Sequence, residues 1–222
     1  MRLIVFDFDG VVADSEVLAN TVLAEFVTEL GVPLTLDDSL RTFMGKRLSD
    51  VLASIAAMTG RPLADDAAAA FMRRTLARFR SELCEMPGLR DYLAATGDIA
   101  RCIASSSSPE RLAVCLEVLE LTAAFGRHVY SASMVPRGKP HPDLFLHAAA
   151  QCGVDPADAI VIEDSANGVR AGIAAGMTTI GFLGASHIRE GDEARLREAG
   201  AHHVARTYAD VERITRALVH GR

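Results

Sequence analysis

The chain has 222 residues, half of them hydrophobic, and a formal net charge of −6. This length and hydrophobic content predict a folded protein with a sizeable core and argue against a disordered chain. The negative charge and the lack of a dense basic tract argue against a nucleic-acid partner. Apolar runs fall short of the ~18–20 residues of a membrane span, and an acid at position 7 comes too early for a signal-peptide core. We therefore expect a cytoplasmic protein.

The first predicted element is a short strand at residues 2–6, whose nearly continuous apolar character suits a parallel sheet buried on both faces. The pattern from about residue 16 to 83 is helical instead. Helices are predicted at 16–30, 47–59 and 64–82, and no segment there is convincing as a strand.

Strands return in the remainder of the chain and alternate with helices. Strands are predicted at 100–104, 127–131, 159–162, 178–183 and 202–205. Helices are predicted from Gly88 to about residue 95, from Ser108 onwards, and at 142–152, 165–175 and 208–219. This alternation predicts an α/β fold with a doubly wound parallel sheet, formed by residues 1–14 and 86–222. Residues 15–85 are then an inserted all-helical cap domain.

Three predicted strands run into polar loops. Asp7-Phe8-Asp9-Gly10 follows the first strand, Ser105–Ser108 follows the second, and Glu163-Asp164 follows the strand at 159–162. Lys139, one of only two lysines, precedes a predicted helix. Ligands of such sheets bind beyond the carboxyl ends of the strands, so these loops predict one site.

This set of side chains favours phosphoryl transfer. Two carboxylates ~4 Å apart repel by about 4 kcal/mol at an effective dielectric near 20, so several acids at one edge need a cation. Carboxylate and carbonyl oxygens without nearby His or Cys favour Mg²⁺. The metal and an ammonium would also reduce repulsion between an anionic nucleophile and a phosphate dianion.

Four motifs of this chain, in this order, resemble those of the haloacid dehalogenase (HAD) superfamily. They are Asp7-x-Asp9-Gly-Val-Val, the Ser105 that follows a strand, Lys139-Pro140, and Glu163-Asp164 within Ile-Glu-Asp-Ser-Ala-x-Gly. The resemblance covers nearly the whole chain. It is to the branch of phosphatases and β-phosphoglucomutase-like proteins with a helical cap.

The resemblance implies a role for each motif. Asp7 would be the nucleophile, and Asp9 the general acid and then the general base. The transferring phosphoryl group would be bound by Ser105, Ser106 and Lys139, although Ser106 also fits a plain loop residue.

The resemblance also implies a Mg²⁺ site and a substrate-reading loop. The metal-binding residues would be Asp7, Asp9 through its backbone carbonyl, Asp164, and Glu163 directly or indirectly. In the cap, Gly45, Lys46 and Arg47 would contact the leaving group of the substrate.

The implied activity is Mg²⁺-dependent hydrolysis of small phosphate monoesters, such as sugar or polyol phosphates, through an aspartyl phosphate. A hexose-phosphate mutase remains an alternative, but Ala19 and Leu48 stand where the resembled mutases carry His and Arg. Dehalogenation and phosphonate hydrolysis are disfavoured because Asp9 is present. A non-catalytic protein that binds a phosphorylated ligand is a further alternative. We expect a small phosphorylated metabolite as partner and a monomer or weak homodimer.

Overall fold

The structure is a computed structural model that describes residues 2–44 and 48–220. The chain divides into two compact units. The first consists of Met1–Asp14 and Cys84–Arg222, and the second is Ser15–Leu83, inserted into the first.

The first unit is built on a six-stranded parallel sheet. Its strands are β1 Leu3–Phe6, β2 Ala100–Ser105, β3 Val129–Ser131, β4 Ala159–Glu163, β5 Thr178–Phe182 and β6 His203–Ala205. Their order in the sheet is β3-β2-β1-β4-β5-β6. Strand β1 pairs with β2 on one side and β4 on the other, with Leu3 opposite both Ala100 and Ala159. Strands β2 and β3 lie on one side of β1, and β4, β5 and β6 lie on the other, so the strand order reverses at β1. Doubly wound sheets bind their ligands at such a point.

The helices, in chain order, are α1 Glu16–Glu29, α2 Leu36–Phe43, α3 Leu48–Thr59, α4 Ala67–Glu82, α5 Leu89–Ala95, α6 Pro109–Val118, α7 Thr122–Phe125, α8 Asp143–Gln151, α9 Ala166–Ala174, α10 Asp192–Glu198 and α11 Tyr208–His220. None of these helices within residues 2–44 and 48–220 has the length and apolar character needed to cross a membrane. The parallel sheet with its connecting helices confirms the predicted α/β fold.

Both faces of β1 are covered, and all four of its residues are buried. Leu3 and Val5 belong to the same buried cluster as Phe145 of α8. Phe6 meets Phe125 edge to face, with ring centroids 5.5 Å apart. A strand buried on both faces is among the most rigid parts of a domain, because it can open only when the domain unfolds. The residue that follows it, Asp7, is therefore held on a rigid support.

The inserted unit has a helical core of its own. Phe26 of α1 and Phe71 of α4 pack with ring centroids 5.9 Å apart. Ion pairs join the same two helices at the surface: Arg74 lies 2.6 Å from Glu29, and Arg78 lies 2.9 Å from Glu25. These arginines form interhelical ion pairs within the unit, as expected for a solvent-exposed helix face.

Three helices lie where the sequence pattern predicted none, namely α2, α7 and α10. Each is short, with four to eight residues. A helix of one or two turns shows too few repeats for its apolar period to be recognised. The predicted start of α6 is confirmed: Ser108 is the N-cap residue, its side chain accepts a hydrogen bond from the Arg111 amide, and Pro109 opens the helix.

Candidate active site

Asp7 stands at the carboxyl end of β1, on the edge where β4 also ends. Its amide donates to the Ile162 carbonyl at 3.0 Å, which continues the pairing of β1 with β4 by one residue. The chain then turns sharply. Gly10 has a φ of +79°, and its amide donates to the Ala13 carbonyl at 2.7 Å. This turn keeps Asp7 and Asp9 at the end of the sheet.

Lys139 connects two of the predicted site carboxylates. Its Nζ lies 2.6 Å from Asp7 Oδ1 and 2.6 Å from Glu163 Oε1. The ammonium also stands over the ring of Phe145, 5.0 Å from the centroid. The lysine side chain is only 5% exposed, so its charge is balanced by these carboxylates rather than by water.

Glu163 is held through both of its oxygens. Oε1 accepts from Lys139, while Oε2 accepts from the amide and hydroxyl of Ser165, both at 2.9 Å. Gly168 makes room for this carboxylate, because a Cβ there would stand 1.7 Å from Oε1. Glu163 is fully buried, and each of its oxygens accepts at least one hydrogen bond.

Asp164 brings a third carboxylate to the site. Carboxylate oxygens of Asp7, Glu163 and Asp164 lie within 4.8 Å of one another. Three carboxylates around one ammonium leave excess negative charge, which a divalent cation would neutralise. The oxygens are also the hard ligands that Mg²⁺ and similar cations prefer, so the residues present fit a divalent cation.

The electrostatics of the cluster follow from burial. Burial raises the pKa of the Asp7 carboxyl well above its usual range; Lys139 opposes this rise, and the neighbouring acids add to it. Burial likewise raises the pKa of Asp164, against the effect of His187. Burial alone would lower the pKa of Lys139, but Asp7 and Glu163 outweigh it and hold that pKa above its ordinary value.

Asp9 is held by two side chains from the loop and helix after β2. Ser107 Oγ donates to Asp9 Oδ2 at 2.6 Å, and Arg111 Nη2 donates to Oδ1 at 2.5 Å. The Asp9 side chain is 14% exposed and that of Arg111 15%. The carboxylate is therefore fixed by both oxygens in a largely buried position.

The serine loop after β2 is itself fixed. Ser105 is buried, and its hydroxyl accepts from the Ser107 amide at 3.0 Å. Ser131, at the end of the neighbouring β3, donates its hydroxyl to the Ser107 carbonyl at 2.7 Å. Ser106 is exposed on the same loop. The loop thus lies beside Asp9, which it contacts through Ser107.

The predicted site residues have different outcomes. Asp7, Lys139, Glu163 and Asp164 come together in one cluster. Asp9 adjoins the Ser105–Ser108 loop through its bond with Ser107. The predicted substrate residues Gly45, Lys46 and Arg47 lie outside the described residues.

Arg111 and His187 were not predicted from the sequence as site residues, and Ser107 lay in the predicted loop without a predicted contact to Asp9. His187 Nε2 lies 3.2 Å from Asp164 Oδ2, with both side chains buried. Ser107 and Arg111 contact Asp9, and His187 contacts Asp164. In each case more than twenty residues separate the partners in the chain, so no local spacing could predict the contact. One feature of the sequence could have indicated Arg111: it lies on the first turn of α6, and that helix begins directly after the serine loop of the predicted site.

Comparisons with known proteins agree with this geometry. A model of the haloacid dehalogenase-like hydrolase family matches residues 1–176. The 6-phosphogluconate phosphatase of Escherichia coli (strain K12) is 29% identical over 188 residues, covering 84% of this chain and 85% of that protein. Hexitol phosphatase B of the same strain is 31% identical over 182 residues, covering 79% and 81%.

Among solved structures, a conserved haloacid dehalogenase-like protein of unknown function from Agrobacterium tumefaciens str. C58 is 35% identical. It superposes with a TM-score of 0.85, and the match covers 99% of each chain. The family match extends over well more than half of the sequence and includes every motif of the acidic cluster. This chain belongs to the haloacid dehalogenase-like hydrolase family.

Proposed function

We propose that the protein is a Mg²⁺-dependent phosphatase that hydrolyses phosphate monoesters of small sugars or polyols through an aspartyl phosphate on Asp7. The observation that carries the proposal is the contact of Lys139 with Asp7 and Glu163 at 2.6 Å each, with Asp164 beside them. Two relatives named for 6-phosphogluconate and hexitol phosphatase activity support the substrate class.

Asp7 is the proposed nucleophile. One of its oxygens bonds to phosphorus while the bond from phosphorus to the leaving oxygen breaks. Lys139 lies against the same carboxylate and is positioned to neutralise the phosphoryl oxygens as they approach. The rigid strand beneath Asp7 keeps the attacking oxygen in one place, which lowers the entropic cost of reaching the transition state.

Asp9 is the proposed general acid and base. It gives its proton to the departing alcohol oxygen in the first step. In the second step it removes a proton from water, the water oxygen bonds to phosphorus, and the bond from phosphorus to Asp7 breaks. The proton taken from water returns Asp9 to its carboxylic acid form, and inorganic phosphate leaves.

Ser105 and Ser106 are the proposed partners of the non-reacting phosphate oxygens. Ser105 ends β2, the strand next to β1, so its loop shares the sheet edge with Asp7. Hydroxyl and amide donors of such a loop are suited to an anion because they are fixed before it binds. Two hydrogen bonds supply that rigidity: the Ser107 amide donates to the Ser105 hydroxyl, and the Ser131 hydroxyl, from the end of β3, donates to the Ser107 carbonyl.

The residues that would hold Mg²⁺ are Asp7, Asp164 and the backbone carbonyl of Asp9, with Glu163 binding it directly or indirectly. When bound, the cation would lower the repulsion between the anionic nucleophile and the phosphate dianion. The cap is proposed to comprise residues 15–85, with Gly45, Lys46 and Arg47 contacting the part of the substrate beyond the phosphate.

The test is phosphate release from a panel of sugar, polyol and nucleotide monophosphates and p-nitrophenyl phosphate, with Mg²⁺ and with EDTA. We expect metal-dependent turnover with the highest kcat/KM among sugar or polyol phosphates. Turnover that is unchanged by EDTA contradicts the proposed cofactor. Binding of these esters without any hydrolysis contradicts the proposed activity and favours a ligand-binding protein.

A hexose-phosphate mutase needs the same two aspartates, so the panel alone does not separate the two activities. Incubation with β-glucose 1-phosphate and a trace of the bisphosphate does. We expect free phosphate as the product, because Ala19 and Leu48 replace the residues that the resembled mutases carry. Accumulation of glucose 6-phosphate would identify a mutase.

A further inference from the structure

His187 contacts Asp164 from the loop that follows β5. Its Nε2 lies 3.2 Å from Asp164 Oδ2, and the two side chains are 6% and 7% exposed. A carboxylate only accepts hydrogen bonds, so Nε2 carries the hydrogen and donates it. A neutral imidazole is sufficient for this contact.

The same carboxylate oxygen is enclosed from a second direction. Gly10 stands so close that a Cβ there would lie 1.9 Å from Asp164 Oδ2 and 2.9 Å from His187 Cε1. Oδ2 therefore occupies a slot between the Gly10 backbone and the imidazole. The positive φ of Gly10 and its lack of a side chain are both needed for this close approach.

The loop that carries His187 is anchored beside the contact. The Leu183 amide donates to the Ala205 carbonyl at 2.8 Å, where the chain leaves β5. Ser186 donates through its hydroxyl to Asp14 Oδ1 at 2.8 Å. On the other side of His187, the Ile188 amide donates to the Ala185 carbonyl at 3.2 Å, so the backbone around the ring is held in place.

We propose that His187 restricts Asp164 to one available oxygen and thereby makes the proposed cation site select Mg²⁺ over Ca²⁺. Mg²⁺ requires near-ideal octahedral geometry and is satisfied by single carboxylate oxygens and water. Ca²⁺ takes six to eight oxygens and commonly binds a carboxylate through both. His187 and Gly10 hold Oδ2 in the slot, so only Oδ1 of Asp164 is left for a cation. The inference rests on the cation site of the proposed function.

The experiment measures Mg²⁺ and Ca²⁺ dissociation constants by isothermal titration calorimetry, without substrate. The wild-type protein is compared with His187→Leu, which removes the donor, and His187→Gln, which keeps an N–H near the position of Nε2. We expect wild type to bind Mg²⁺ more tightly than Ca²⁺. In His187→Leu the ratio of the Ca²⁺ to the Mg²⁺ dissociation constant should fall about tenfold, within the range for residues that orient metal ligands, and His187→Gln should restore most of it.

Ser186→Ala is the matched control, because it changes the residue before His187 while the Ser186 amide still donates to Asp14 Oδ1 at 3.2 Å and keeps the loop in place. Its preference between the two cations should equal that of wild type. Equal loss of both affinities in His187→Leu would show a merely structural role and overturn the proposal. Wild-type protein that binds Ca²⁺ as tightly as Mg²⁺ would overturn it as well, even if no variant folds.

Asp164→Asn separates failure of this inference from failure of the proposed function. If cation binding survives unchanged in Asp164→Asn, the cation site itself is wrong and the proposed function loses its metal. If binding is lost there but the preference in His187→Leu is unchanged, only the role of His187 is wrong.

Discussion

Lys139 Nζ lies 2.6 Å from Asp7 Oδ1, and the two side chains are 5% and 11% exposed. A buried ion pair of this kind makes a modest net contribution to stability, but loss of one member leaves an uncompensated charge in the interior. The same ammonium also neutralises Glu163. Lys139 is therefore both part of the proposed chemistry and the group that makes this cluster of acids tolerable.

Lys139→Met should lower both stability and activity. Without the ammonium, Asp7 and Glu163 face each other with no counter-charge. We expect the free energy of unfolding in EDTA to fall by about 3–5 kcal/mol, as when one member of a buried pair is removed. Phosphatase activity should fall at least about 100-fold, since a fixed charge near the phosphate is lost. Denaturant unfolding and steady-state kinetics check the two effects.

Arg195→Met is the control for loss of a positive charge. Arg195 pairs with Asp192 at the surface, and its side chain is 70% exposed. Its stability should stay within about 0.5 kcal/mol of wild type. A Lys139→Met protein as stable as this control would show that Lys139 does not balance the buried acids.

Arg111→Met and Ser107→Ala should each lower kcat with little change in KM. Both residues fix Asp9 rather than the substrate, through hydrogen bonds of 2.5 and 2.6 Å. A general acid and base contributes 10²–10⁴-fold, so poor positioning should cost about ten- to a hundredfold. Steady-state kinetics with the best substrate of the panel measure both constants.

Arg111→Lys is the conservative comparison, because an ammonium can still donate to one Asp9 oxygen. Its kcat should lie between those of wild type and Arg111→Met. A large rise in KM with kcat unchanged would show instead that Arg111 binds the substrate directly.

Gly168→Ala should disturb the site without removing any of its functional groups. The new Cβ would stand 1.7 Å from Glu163 Oε1, so the carboxylate must leave Ser165 or Lys139. Overpacking and broken buried hydrogen bonds together predict a loss of about 2–4 kcal/mol. Thermal and denaturant unfolding measure it. Gly97→Ala is the control, because its Cβ meets nothing closer than 3.4 Å. Equal stability of the two variants contradicts the packing of Gly168 against Glu163.

The sequence was sufficient to predict the sheet, because its buried strands read as short apolar runs between helices. It also placed the acids, since a polar residue directly after such a strand has to lie at the carboxyl edge. The order of the strands was not readable. Pairing of β1 with both β2 and β4 depends on which long crossovers pack best, and residue spacing does not record that.

The partners of the acids could not be predicted for a similar reason. His187 is near Asp164 only because the loop after β5 folds back over the sheet edge. Arg111 has the pattern of an ordinary helix residue until the start of α6 is placed beside Asp9. The start of α2 could have been predicted from the sequence, because Thr35 and Asp38 form an N-terminal capping pattern. In the structure the Thr35 hydroxyl accepts a hydrogen bond from the Asp38 amide at 3.1 Å.

The cation should stabilise the protein more as the pH rises. Burial raises the pKa of Asp7 and of Asp164 above the ordinary value of 3.8. The folded protein then binds more protons than the unfolded chain between 3.8 and the raised pKa values. In that window the stability of the cation-free protein falls as pH increases. Mg²⁺ competes with those protons, so its stabilising effect should grow over the same window.

Thermal unfolding with EDTA and with Mg²⁺, at a series of pH values rising from the ordinary aspartate pKa of 3.8, measures this effect. Asp164→Asn is the control, because it removes a proposed cation ligand, so its Tm should be the same with EDTA and with Mg²⁺ at each pH. Mg²⁺-induced shifts in Tm that do not change at any point of the series would contradict a raised pKa of the buried acids.

The most direct test of the account is chemical identification of the nucleophile. The protein, and the Asp9→Asn variant in which hydrolysis of the intermediate should be slow, are quenched with acid during turnover and reduced with borohydride. An acyl phosphate is reduced to the alcohol, so peptide mass spectrometry should find homoserine at position 7 and unmodified aspartate at position 9. Phosphate release with unmodified Asp7 in both proteins, or reduction at another carboxylate, would contradict the central claim.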